Sequence, residues 1–245
     1  MIEDAVIIVP AFNEGAVIED TLAELKKFAS RVIVVNDGSR DDTAAKAKKA
    51  GVFVASHCAN LGYGAALKTG FTAGLRYFKE PFFITFDADF QHDPSYLESL
   101  LGPLRRREAD YVIGSRFLAG EAPALPLARK IGSRVFSIAT SALIGQKITD
   151  PTSGMLALGR KVARVFAGQL FPLDFPDADV LVMLSRMGYR IKEEAVEMRP
   201  ARRLGSMHAG ILRPMYYIAK MSVSMVHFAL RRDLKEQRRE MESVS

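Results

Sequence analysis

Along the first 110 residues, unbroken apolar runs alternate with stretches whose apolar residues recur at helical spacing. The first run, AVIIVP (5–10), is rich in β-branched residues, as expected of a strand covered on both faces. After it, AFNEGAVIEDTLAELKKFA (11–29) sets Val17, Leu22, Leu25 and Phe28 at helical spacing. RVIVVND (31–37) predicts a second buried strand. SRDDTAAKAKKAG (39–51) reads as a cap, a helix of alanine and lysine, and a stop at Gly51. VFVAS (52–56) predicts a third strand, GYGAALKTGFTAGLRYF (62–78) a helix, and PFFITF (81–86) a fourth strand. His92 to Pro94 are read as the start of the next helix, with Pro94 the first residue of a helix over 94–106. Strands joined through helices by short connections specify a parallel sheet with helices on its faces, wound right-handed.

DYVIGS (110–115) adds a strand. Beyond it, 125–145 is helical, MLALG (155–159) suits a strand, DADVLVMLSRMG (177–188) a helix, and YRIKEEAVEMRP (189–200) alternates weakly, as an edge strand would. There is no internal repeat, low-complexity tract or clear linker.

In open parallel sheets, ligands bind outside the carboxyl ends of the strands. Four polar clusters fall there: PAFNE (10–14), NDGSRDD (36–42), DADFQ (87–91) and GSR (114–116). Singly, each suits a turn or a helix cap. Together on one edge they describe a site. In an extended segment Asp87 and Asp89 would share one side, with Gln91 able to join them. Oxygen-only ligands favour Mg²⁺ or Mn²⁺. Asp37 is placed to accept from a base or ribose. The glycines of GYGAALKTG (62–70) match neither a dinucleotide fingerprint nor a P-loop, and are read as allowing close helix packing or backbone approach to a ligand.

Composition changes this picture little. The net charge of +6 suits an anionic partner without choosing one. One cysteine, Cys58, excludes an internal disulfide and a cysteine metal site, and the four histidines lack helical zinc spacing. The start carries acidic residues where a secretory signal carries basic ones, so a cytoplasmic protein is expected.

Read together, VPAFNE, VVNDGSRDDT, NLGYGAALKTGF, FDADFQHDP, VIGSR, DPTSGM and SMHAG resemble family 2 glycosyltransferases of the dolichol- or polyprenol-phosphate mannosyltransferase type, from about residue 5 to about residue 210. The resemblance implies an α/β GT-A fold, a mostly parallel twisted sheet with helices on both faces. It implies a nucleotide-sugar donor (GDP-mannose or a UDP-sugar), Mg²⁺ or Mn²⁺, a polyprenyl phosphate acceptor, inversion at the sugar, and no nucleic-acid partner. It assigns Pro10, Phe12, Glu14 and Asp37 to the nucleotide, and Asp87, Ala88 and Asp89 to base, ribose and diphosphate. Asp89 and Gln91 would hold the metal, and Arg116, Arg129 and Ser133 the acceptor phosphate. Asp150 and Ser153–Gly154 of DPTSG would shape the sugar pocket, so that Asp89, Arg116 and Asp150 form the catalytic set.

The chain also departs from the family. Asn36 replaces the first aspartate of Asp-Asp-Gly-Ser, and FPDADV (175–180) stands where many relatives read Pro-Glu. In RRLGSMH (202–208), Met207 takes the place of a lysine, so Arg202 or Arg203 would supply the cation on the diphosphate. The alternatives are a polysaccharide or other non-lipid acceptor, or a non-catalytic nucleotide-sugar-binding module, for which Met207 leaves room while the intact Asp-Ala-Asp argues against it. A nucleotidyltransferase would need a glycine- and lysine-rich loop after the first strand, which PAFNEG is not.

The catalytic unit is expected over 1–210 and an amphipathic helix with a charged tail over 211–245. Arg213, Pro214, Lys220 and His227 interrupt ILRPMYYIAKMSVSMVHFAL (211–230), which makes it a poor spanning helix. Arg213, Lys220 and His227 form one stripe, and Met215, Ile218, Ser222, Met225 and Ala229 line the other side. Such a helix suits a peripheral position on the cytoplasmic membrane face, or packing on the domain or on a second subunit in a homodimer.

Overall fold

Seven strands form one sheet in the order β3–β2–β1–β4–β6–β5–β7. The computed structural model describes residues 1–118, 127–199 and 212–243, with backbone alone at 127–131 and 212–215. Arg202, Arg203, Met207 and the side chain of Arg129 therefore lie outside the described residues. The strands are β1 (Ala5–Ala11), β2 (Val32–Asn36), β3 (Phe53–Ser56), β4 (Phe82–Thr85), β5 (Tyr111–Ser115), β6 (Leu156–Gly159) and β7 (Ile191–Ala195). All run the same way except β6, which is antiparallel to both β4 and β5. Leu156, the first residue of β6, is consequently in register with Thr85 and Ile113, near the last residues of their strands.

The continuous apolar runs have a direct cause. Successive residues of a strand face opposite sides, and both sides of this sheet are covered. Along β1, Val6 and Ile8 enter one core while Ala5, Ile7, Val9 and Ala11 enter the other. α1 (Ile18–Leu25) and α4 (Leu97–Arg105) line the second core; α3 (Tyr63–Tyr77), α6 (Arg160–Ala167) and α7 (Ala178–Arg186) line the first. α2 (Thr43–Lys49) packs beside α1, and α5 (Leu127–Ile144) against α7. The glycines of α3 do allow close packing: a Cβ on Gly70 would lie 2.3 Å from Ile8 Cγ2.

Two readings of the sequence change. The helix expected from residue 11 begins only at Ile18, because Ala11 ends β1 and 12–17 forms a loop bonded to its neighbours, and Phe28 lies beyond the helix end, half-exposed. His92 does not start a helix. A 3₁₀ turn over Pro94–Tyr96 precedes α4, Asp93 caps it by accepting from the Ser95 N–H at 2.9 Å, and His92 turns inward with 3% exposure. Pro94 is the first residue of that turn.

α8 (Leu212–Leu230) lies along α7 and places Met221, Met225 and Phe228 in the first core. Each such burial contributes roughly 1.5–3 kcal/mol. The charged residues that follow form α9 (Leu234–Ser243), anchored by buried Leu234 and by Arg238 stacked 4.1 Å over the Tyr189 ring. Among the described residues, no helix is long and apolar enough to cross a membrane.

Candidate active site

The polar clusters meet at the carboxyl edge of the sheet and are knitted together there. The Asn13 N–H donates to Ser39 Oγ at 2.9 Å, and Asn13 Oδ1 accepts from the Arg40 N–H. The Gly15 N–H donates to Asp41 Oδ2, and the Asp37 N–H to the Ala11 carbonyl. The loops after β1 and β2 thus form one body. Pro10 is buried within β1, Phe12 is 39% exposed, and the Glu14 N–H donates to Thr43 Oγ1 at 2.9 Å. Asp37 is buried, and its carboxylate accepts from the Leu61 and Gly62 N–H groups at 2.8 and 2.9 Å. Its Oδ1 also lies 2.7 Å from His57 Nδ1. These bonds fix the 57–62 loop that leads into α3.

The DADFQ stretch is a turn rather than an extended segment. β4 ends at Thr85, and Phe90 has φ +67°. The turn, not strand alternation, brings Asp87 close enough for its charge to act on Asp89. Burial first, and then the Asp87 charge, push the Asp89 pKa up, against hydrogen bonding from Gln91. The Gln91 side-chain amide donates to Asp89 Oδ2, and its backbone N–H to Oδ1 at 3.0 Å. Ala88 is buried, and its carbonyl accepts from Thr21 Oγ1 on α1. His92 Nδ1 accepts from the Asp87 N–H at 3.1 Å, which leaves the ring proton on Nε2, 3.5 Å from Asp87 Oδ2. Tyr63 Oη donates to Asp87 Oδ1 at 3.3 Å.

Arg116, just past β5, faces Asp150. Its Nε and Nη2 donate to Asp150 Oδ2 and Oδ1 at 2.6 and 2.7 Å, and its backbone N–H adds 3.0 Å to Oδ2. Nη2 also reaches the carbonyl and hydroxyl of Thr152. Burial opposes the guanidinium charge, but the Asp150 bonds outweigh it and hold the Arg116 pKa above its ordinary value. Nη1 lies 4.0 Å from the Met198 sulfur, a weak acceptor. Asp150 is itself fully buried, and Glu193 on β7 accepts from its N–H and from the N–H and hydroxyl of Thr149. Gly154 ends this segment against the other half of the site: a Cβ there would lie 2.5 Å from Asp87 Oδ2. Its carbonyl accepts from Thr85 Oγ1 at 2.6 Å. Because β6 is reversed, the residues before it arrive at the edge where the other strands end. Ser133 and the Arg129 backbone lie on α5.

The segment FPDADV leads into α7, which begins at its Ala178. Burial pushes the Asp177 carboxyl up to about 6, although Tyr217 Oη donates to it at 2.9 Å. On the other side of the site, the chain pairs Met198 with His92, and the Arg199 N–H donates to the Gln91 carbonyl at 2.8 Å.

A family model described as glycosyl transferase family 2 matches residues 6–166, which take in the loops after β1, β2, β4 and β5 and the DPTSG segment. The chain belongs to glycosyl transferase family 2. An uncharacterised protein of Methanocaldococcus jannaschii is 35% identical over 198 residues, covering 80% of this chain and 81% of the relative. The UDP-N-acetylglucosamine–dolichyl-phosphate N-acetylglucosaminyltransferase of Methanococcus voltae is 30% identical, covering 67% of this chain and 72% of the relative. In fold, the chain is similar to glucosyl-3-phosphoglycerate synthase of Mycobacterium tuberculosis, solved with Mn²⁺ and UDP-glucose, at a TM-score of 0.65 and 20% identity, covering 92% of this chain and 78% of that one. The fold of this family 2 chain is GT-A, a mostly parallel sheet with helices on both faces.

The residues present fit a divalent cation. Two carboxylates and an amide supply hard oxygen donors, and Asp89, its pKa raised by burial first and then by the Asp87 charge, is a carboxylate whose charge a cation would offset. Among the described residues no group of three or more His, Cys, Asp or Glu is placed to hold a metal, so further positions would fall to water or substrate oxygens. Three site residues were missed by sequence reasoning. His92 was taken for a helix start, Tyr63 only for part of a helix, and Glu193 for part of an edge strand. Only Glu193 left a trace, as a carboxylate on a strand whose partners are apolar.

Proposed function

We propose that the chain catalyses metal-dependent, inverting transfer of a sugar, mannose in the first instance, from a nucleotide sugar to a polyprenyl or dolichyl phosphate at a membrane surface. One observation carries this reading: the 150–154 segment is bonded to Arg116 at one end and lies against Asp87 at the other. An anion-binding arginine and an oxygen donor set therefore share one edge of the sheet. Glycosyl transferase family 2 membership and a dolichyl-phosphate relative supply the reaction class.

Asp89 and Gln91 would hold Mg²⁺ or Mn²⁺, which when bound supplies charge neutralisation for a departing nucleoside diphosphate. Arg116 Nη1, with Arg129 and Ser133 from α5, orients the acceptor phosphate. A phosphate monoester oxygen is already anionic at neutral pH, so attack needs no dedicated base. Asp150 holds Arg116 in place for this positioning. Arg202 and Arg203 follow Arg199, itself bonded to the Gln91 carbonyl, by three and four residues. A chain spans at most about 3.6 Å per residue, so either arginine is within reach of a diphosphate at Asp89. Residues 1–210 form the catalytic unit. The 211–245 stretch meets the membrane through the outward face of α8, where Val223 and Val226 are 70% and 54% exposed.

The test is a donor screen with Mn²⁺: GDP-mannose, UDP-N-acetylglucosamine and UDP-glucose, each with and without polyprenyl phosphate. Nucleoside diphosphate release from one donor, rising with the lipid, is expected. Release stimulated by a polysaccharide and not by the lipid would move the acceptor assignment, and no release from any donor would overturn the reading. For the membrane, Val223→Glu/Val226→Glu should lose co-flotation with anionic vesicles at unchanged Tm; equal flotation would remove α8 from the interface.

A further inference from the structure

α8 does more than cover the core. Its inner face clasps the segment 174–179, which contains the FPDADV departure. Tyr217 Oη donates to Asp177 Oδ2 at 2.9 Å, and Ser224 Oγ to Asp179 Oδ2 at 2.6 Å. Lys220 Nζ reaches the carbonyls of Asp174 and Phe175 and lies 3.4 Å from Asp179 Oδ2, a carboxylate with no solvent exposure. The Tyr217 ring meets Phe175 edge-on at 5.2 Å and Phe136 of α5 at 5.7 Å. The clasped backbone is unusual. Phe175 has φ +50°, a region bulky residues adopt only when their surroundings hold them there, and Asp177 has ψ −110°.

The same segment presses on the start of α3. A Cβ on Gly64 would lie 2.5 Å from the Leu173 carbonyl oxygen and 2.7 Å from that of Pro172. Backbone touches backbone there with no side chain between. Tyr63, the next residue toward the site, carries the hydroxyl that meets Asp87 at 3.3 Å. Contacts therefore run without a gap from α8, through 172–179, to Tyr63 and Asp87.

We propose that Tyr217 is a positioning residue of the donor site: with Lys220 it holds 172–179 against Gly64, and so sets the Tyr63 hydroxyl on Asp87. This rests on the reading of Asp87 as a donor-site residue. The C-terminal helix is then part of the reaction machinery, although it supplies no atom to the reacting groups.

A double-mutant cycle tests it on the full chain, with UDP and GDP each titrated calorimetrically in the presence of Mn²⁺. Tyr217→Phe keeps the ring packing and removes only the hydroxyl. It is expected to weaken the bound nucleotide about fivefold, the size of one hydrogen bond, as is Tyr63→Phe. In the Tyr63→Phe background, Tyr217→Phe should have almost no further effect, since its route to Asp87 is already cut. Ser222→Ala, whose hydroxyl bonds within α8, should change nothing. Multiplicative effects of the two tyrosine changes would overturn the proposal, as would unchanged binding by Tyr217→Phe. If Tyr217→Phe does not fold, Lys220→Met and Lys220→Arg take its place, and equal loss by both would overturn it. Failure of the unaltered protein to bind either nucleotide would instead overturn the donor-site reading, and this proposal with it.

Discussion

Removing the Asp150 carboxylate strands a charge. In Asp150→Ala, the Arg116 guanidinium stays in a site where its side chain is 18% exposed. It loses its bonds at 2.6 and 2.7 Å, and its backbone N–H loses one at 3.0 Å. Nη2 keeps Thr152, whereas Nε and the backbone N–H are left unpaired. Breaking a buried pair from one side costs about 3–5 kcal/mol, most of it the penalty of the orphaned charge. For a chain of this length each kcal/mol lowers Tm by about 2–4 °C, which gives a fall of about 6–20 °C. Arg116→Ala should cost a similar amount, because it leaves the Asp150 carboxyl without its partner at zero exposure. The double change Arg116→Met/Asp150→Leu should cost far less than the sum, since no charge remains to be buried. Thermal melts of the four proteins at pH 7 read this directly. A fall below about 2 °C for Asp150→Ala, or additivity in the double variant, would refute the claim that a desolvated ion pair organises this half of the site.

Other consequences are equally measurable. Asp89→Ala should cut turnover by roughly 10²-fold or more and abolish the Tm rise produced by Mn²⁺, with the metal-free Tm retained; near-normal turnover would remove the metal assignment. Gly154→Ala pushes a methyl toward Asp87 Oδ2, the free end of a side chain that can swing away. Its stability cost should stay near about 1 kcal/mol while Mn²⁺ affinity falls, as a metal titration would show. Asp177 reverses the usual carboxylate trend. Its folded pKa of about 6 lies above the unfolded value, so the folded chain keeps the proton longer and loses stability as pH rises through the window up to about 6. Asp177→Asn should therefore melt progressively higher than the unaltered protein between pH 4 and 7; parallel curves would refute it.

The strands were legible because both faces of the sheet are covered, which turns β1 and β2 into short apolar runs whose length and β-branched content mark them as strands. The site edge was legible for a related reason: polar residues directly after such runs must sit where the strands end. What sequence could not carry was side-chain direction across long separations. His92 serves Asp87 only because a turn at Phe90 brings it back. Glu193 serves Asp150 across 43 residues, through the pairing of β7 with β5. The reversal of β6 left no mark in MLALG, whose composition suits either direction.

That reversal also divides the chain in an engineering sense. The loops after β1, β2 and β4 deliver their contribution by residue 92, whereas the rest leaves the edge at Arg116 and returns to it at Asp150–Gly154. A stretch tethered at both ends to one edge can change in length and content without shifting the register of any strand. The excursion through α5 is thus a stretch whose length no strand register fixes, although Phe136 ties it to the first core. On the proposed function, exchanging it between chains of this architecture is the change expected to alter the acceptor rather than the donor.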